Sequence, residues 1–159
     1  MLKNWKPWQK NLASCLVILA GGFVLFNVAF MLAAAVRTVF MMVLGTFGAL
    51  PQGPEDFLAA VSWHYVFVLV VLLLTWLVFR TKWNDLVKAT FLTMPLMVVI
   101  VEIGIQFYER PAWIFPVGAA VILLVLLWLY KTKRPWQYCF ATFYVAAIGI
   151  YIQVTGMDI

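Results

Sequence analysis

Charge is what this sequence has least of. Only 11% of its 159 residues are charged, while 66% are apolar and the mean hydropathy is +1.02. A soluble domain cannot cover that much apolar surface with so few charges. A bilayer can accept it, because the bilayer is itself an apolar solvent. The chain has 2 cysteines and 1 histidine. A closed zinc site wants about four ligands at short spacings, and Cys15, Cys139 and His64 do not supply them. Both cysteines are expected near the cytoplasmic side, where thiols stay reduced, so no disulfide is expected. One histidine cannot furnish both axial ligands of a haem. A phosphate loop, an HExxH pair, paired cysteines and a Gly-x-Ser-x-Gly elbow are all missing. No cofactor is therefore expected, and no loop is long enough to form a separate catalytic domain.

Two export signals fail on layout. Leu12-Ala13-Ser14-Cys15 precedes the apolar stretch that a lipidation box should follow. The run before Ala33-Ala34-Ala35 is too long for a cleavable signal, so an uncleaved first helix is expected. The net charge of +5 does not point to nucleic acid, because the basic residues are split among several breaks and form no stripe.

What the sequence does have is long apolar runs. A spanning helix needs about 20 mostly apolar residues, and Leu12–Ala35, Val61–Phe79, Leu86–Phe107, Ile114–Tyr130 and Tyr138–Thr155 qualify. Short polar breaks around residues 80–85, 108–111 and 131–135 make neighbouring helices antiparallel hairpins. In lipid only helices or closed barrels satisfy the backbone, and these runs lack the alternation of a barrel. The fold class is thus all-α: a polytopic membrane protein of five transmembrane helices, forming one domain over residues 1–159. Membrane lipids are the expected partners, together with a homo-oligomer or a larger membrane complex. Composition and size suit the cytoplasmic membrane of a bacterium.

Orientation follows from the positive-inside rule. With five spans, every Lys and Arg except Arg37 and Arg110 falls on one side, so the N-terminus is expected inside and the C-terminus outside. The thirteen residues Thr38–Leu50 are apolar but too short to cross. Crossing would also put six basic residues outside. They are expected to form an interfacial or re-entrant segment on the outer side, or an extension of the first helix. Trp5, Trp8, Trp83 and Trp136 flank the basic breaks, while Trp63 and Trp113 mark the opposite ends, as amphipathic indoles favour both interfaces.

In span number and orientation the arrangement resembles the membrane domain that precedes the extracellular catalytic domain of lipoteichoic-acid-synthase-type enzymes; no residue carries over. There is also an internal echo. Trp76 to Trp83 resembles Trp128 to Trp136, and Ala89-Thr90-Phe91 matches Ala141-Thr142-Phe143, at offsets of 51 to 53 residues. Residues 61–107 and 112–155 are candidate duplicated hairpins with a pseudo-axis along the membrane normal.

Glu102 carries the most chemical information. It lies within the third span, where a carboxylate is costly and needs a partner, a cavity or a proton. Gln106 shares its face one turn on. Asn27, Arg37, His64 and Gln153 are expected at similar depth in the outer half, so these six residues are the candidate binding site. The competing reading is an Arg37–Glu102 ion pair that only fixes packing. Pro95 should loosen the third span, with Thr90 and Thr93 placed to satisfy freed backbone groups. Ala20-Gly21-Gly22, Gly118-Ala119-Ala120 and Ala146, Ala147 and Gly149 mark expected packing faces. The leading expectation is a non-enzymatic accessory subunit or small binding or transport protein. The alternatives are a carrier for a small or amphipathic solute that uses Glu102, and an outer-leaflet lipid-headgroup enzyme with Glu102 and His64 as acid or base.

Overall fold

The structure, a computed structural model, describes residues 6–47 and 57–155, with the backbone alone at 57–61. Helices α1 (Pro7–Thr46), α2 (Phe57–Arg80), α3 (Asp85–Gln106), α4 (Ile114–Lys131) and α5 (Trp136–Thr155) follow in order, with a 3-10 turn at Pro111–Trp113 before α4. All five are long and apolar enough to cross a membrane. The protein is an all-α, multi-pass membrane protein.

Local chemistry sets the helix ends. Pro7 starts α1 at its first turn, where its missing N–H costs nothing. The Asn84 side chain accepts from Val87 N at 2.9 Å and caps α3. Asp85 follows in the first turn, where the helix dipole favours a negative charge. The end of α4 is a Schellman turn: Arg134 N donates to Leu129 O at 3.1 Å and Lys133 N to Tyr130 O at 3.2 Å. That turn needs a left-handed residue, and Lys133 supplies it at φ 50° in place of the usual glycine. Pro135 then prevents continuation.

Helix α3 is the hub, in contact with each of the other four helices. Every residue from Leu92 to Val98 is buried. One cluster joins Leu92, Leu96 and Met97 to Leu129 of α4 and Tyr138 and Val145 of α5. A second joins Met94 and Val98 to Ala29 of α1 and Phe67 and Val71 of α2. Lipid is as apolar as these side chains, so close packing rather than water exclusion holds such faces together. The glycines show where approach is closest. A Cβ on Gly21 would lie 2.5 Å from Thr90 Cγ2, one on Gly22 2.9 Å from Tyr144 Cε1, and one on Gly149 2.9 Å from Ile100 Cγ2. Gly118 differs from the sequence expectation: nothing lies within 4 Å of its would-be Cβ. Its face borders an open apolar groove of about 440 Å3 between α4 and α5.

The three buried threonines turn their hydroxyls onto their own helices, as an apolar medium demands. Thr90 donates to Leu86 O at 2.9 Å, Thr93 to Thr90 O at 2.7 Å and Thr142 to Tyr138 O at 2.9 Å. None of these acceptors is the carbonyl of Phe91, four residues before Pro95, so the threonines do not play the expected compensating part. The residues that the proposed repeat equates have like surroundings: Ala89 and Ala141 are both 0% exposed, and Thr90 and Thr142 each bond a carbonyl four residues back.

The first helix decides the Thr38–Leu50 question as far as residue 46. Thr38–Thr46 continues α1 without a break, so the extension is the alternative realised, and Gly48–Leu50 lie outside the described residues. At 40 residues α1 runs about 60 Å at 1.5 Å per residue, roughly twice the hydrocarbon core. The last of its residues packed against the second core cluster is Val36.

The basic breaks gather at one end of the bundle. There the Arg134 guanidinium sits 5.7–5.9 Å from the ring centroids of Phe79, Trp128 and Tyr138. Tyr138 Oη donates to Asp85 Oδ1 at 3.1 Å, and Lys88 Nζ donates to Phe79 O at 3.2 Å. This cluster ties α2, α3, α4 and α5 together at the basic end. The candidate site is at the other end.

Candidate functional site

Helices α2 and α3 form a hairpin over the break at 81–84. His64 and Glu102 stand nearly equal distances from that break, about 25 Å along each helix at 1.5 Å per residue. Antiparallel pairing therefore brings them to one level. His64 Nδ1 lies 2.9 Å from Glu102 Oε1 and 3.1 Å from Oε2. The two side chains are 19% and 14% exposed. This is the one carboxylate–imidazole pair among the described residues, and it is an ion pair only when the imidazole is protonated.

The expected Arg37–Glu102 pair does not form. The Arg37 guanidinium instead stands over the Trp63 ring, 5.7 Å from its centroid. Trp63 in turn lies against the His64 ring, at 3.8 Å between centroids. Arg37 thus reaches the pair only through Trp63, and the carboxylate takes the imidazole N–H instead. His64 is the partner of Glu102.

Glu102 sits on the seam between two crevices. On the α1 side is a cavity of about 130 Å3 whose walls include Phe26, Phe30, Trp63 and Phe67. Its wall is almost wholly apolar, and Trp63, His64 and Glu102 are among the residues that line it. On the other side is an open groove of about 380 Å3 between α2 and α3, lined by Tyr65, Leu69, Leu72, Ile103 and Gln106 beside Glu102. The walls are apolar in both cases, and the carboxylate–imidazole pair stands in the wall of the first.

The six expected site residues divide accordingly. Glu102, His64 and Gln106 share the α2–α3 seam, and Arg37 stands at the edge beyond Trp63. Asn27 is exposed and returns its amide to Phe23 O at 2.8 Å, away from the crevice. Gln153 belongs elsewhere, near Gly104 and in the α4–α5 groove. The reading from residues missed the aromatic wall, although its signal was present. Phe26 and Phe30 are four apart, as are Trp63 and Phe67, so each pair shares a helix face. In the fold Phe26 and Phe30 pack edge to face at 4.7 Å. Among the described residues no three His, Cys, Asp or Glu side chains come together as a metal site.

Comparison with family models, with curated proteins and with solved structures gives no match to the chain.

Proposed function

We propose that the chain is a non-enzymatic membrane protein that binds an amphipathic ligand at Glu102, acting as a small binding or carrier protein or as the binding subunit of a larger assembly. The observation that carries this reading is the placement of Glu102. It is a carboxylate within a membrane-spanning helix, held by one imidazole and bordered by two apolar crevices. Intramembrane carboxylates are costly and mark binding or transport paths. The apolar walls favour a ligand with a greasy body, and the single charged pair gives it an orientation. Oligomerisation would use the open Gly118 face of α4.

The test is thermal unfolding of the purified protein in nanodiscs against a panel of cationic, anionic and neutral amphiphiles. A saturable rise in Tm for one class, lost in Glu102→Gln, supports the reading. A panel that leaves Tm unchanged sinks it.

We further propose a bacterial cytoplasmic membrane, with the basic end inside and the Glu102 end outside. The distribution of Lys and Arg supports this orientation. In a variant with Cys15 and Cys139 replaced by serine, Arg110→Cys should react with an impermeant maleimide in intact cells. Lys82→Cys should react only after permeabilisation. The reverse pattern would overturn the orientation.

A further inference from the structure

We infer that the crevice takes an ammonium group carried on an apolar body, with Glu102 as its counter-ion and the rings of Phe30, Trp63 and Phe67 as its walls. This deepens the reading above and rests on it.

Charge is the first argument. With His64 neutral, its one N–H leaves the Glu102 carboxylate its negative charge. Arg37 is engaged over Trp63, and no Lys or Arg among the described residues is paired with Glu102. A negative charge so placed in a membrane favours a cation beside it. An anion would meet that charge across hydrocarbon walls.

The walls are the second argument. Aromatic faces attract cations through their quadrupole, most strongly where water is displaced. Phe26, Phe30 and Phe67 converge on the cavity that Glu102 borders, and Trp63, whose ring already meets Arg37 and His64, completes the wall. A hard metal ion wants six or more oxygens, and here one carboxylate supplies the only side-chain oxygens. An ammonium with methyl or methylene substituents wants the opposite, one carboxylate and greasy rings.

Size is the third. The cavity is about 130 Å3. A dry cavity of about 150 Å3 accepts a benzene-sized group. A trimethylammonium head belongs to that size class, and its tail can leave along the apolar walls.

The test uses the full chain in nanodiscs of phosphatidylglycerol, titrated by calorimetry with hexyltrimethylammonium and with hexanesulfonate. Saturable binding of the ammonium alone is expected. Glu102→Gln should weaken it about tenfold or more, and Phe30→Leu, at a half-exposed ring, about threefold. Repeating the titration in phosphatidylcholine separates two sources of the same chemistry. A weakened affinity there, beyond the loss that protein-free nanodiscs of the two lipids show, means that a lipid headgroup competes for the site, and an unchanged one points to a free solute. Hexanesulfonate binding as tightly as the ammonium would overturn the ammonium assignment while sparing the amphiphile site. Binding untouched by Glu102→Gln would overturn it as well. No saturable binding by either probe would overturn both readings. The comparison of the two probes on the unaltered protein does not depend on any variant folding.

Discussion

His64 Nδ1 lies within hydrogen-bonding distance of both carboxylate oxygens of Glu102, at 2.9 and 3.1 Å. One ring nitrogen on α2 faces both oxygens of a single carboxylate on α3, at the far end of the bundle. Removing the imidazole strands a carboxylate that is 14% exposed. His64→Ala should therefore destabilise the protein by about 1–3 kcal/mol. His64→Asn can place an amide N–H near the Nδ1 position and should cost less. Unfolding in mixed detergent micelles compares the two. Equal losses would mean that the ring's packing against Trp63 matters and its N–H does not.

The two kinds of glycine should respond oppositely to alanine. Gly21→Ala drives a methyl to 2.5 Å from Thr90 Cγ2 at the α1–α3 contact. It should cost about 1–3 kcal/mol. Gly118→Ala meets nothing within 4 Å and should be neutral or slightly stabilising, since alanine favours the helix by up to about 1 kcal/mol. The same unfolding assay reads both. A large loss at Gly118 would show that its face is covered by another chain.

Lys133 is a side-chain-bearing residue at φ 50° in the α4 Schellman turn. Lys133→Gly should raise stability by about 0.5–1 kcal/mol, net of the extra freedom glycine has when unfolded. A lower Tm for this variant would mean that the lysine side chain makes a favourable interaction at the basic end.

Much of this architecture was legible in the residues. Spans of about 20 apolar residues and short breaks between them dictated the hairpins, because lipid leaves the backbone no alternative to helix. Glu102 stood out for the same reason. What periodicity could not supply was the identity of neighbours across helices. Arg37 and His64 were both placed at the level of Glu102, and charge alone favoured Arg37. The fold chose His64, because Trp63 stands between Arg37 and the pair and takes the guanidinium on its own face. Gly118 misled for a related reason: a small residue permits close approach, but a partner helix must also be there. Thr38–Thr46 is too short to cross a bilayer, yet a helix already nucleated simply continues through it.

The most direct measurement of the central claim is photolabelling in nanodiscs with a diazirine on the alkyl tail of a trimethylammonium amphiphile, followed by peptide mapping. The label should concentrate on the walls of the Glu102 crevice, around Phe30, Trp63 and Ile105. It should be displaced by excess unlabelled amphiphile and lost in Glu102→Gln. Label spread evenly over the lipid-facing residues of all five helices, and indifferent to Glu102→Gln, would contradict the account.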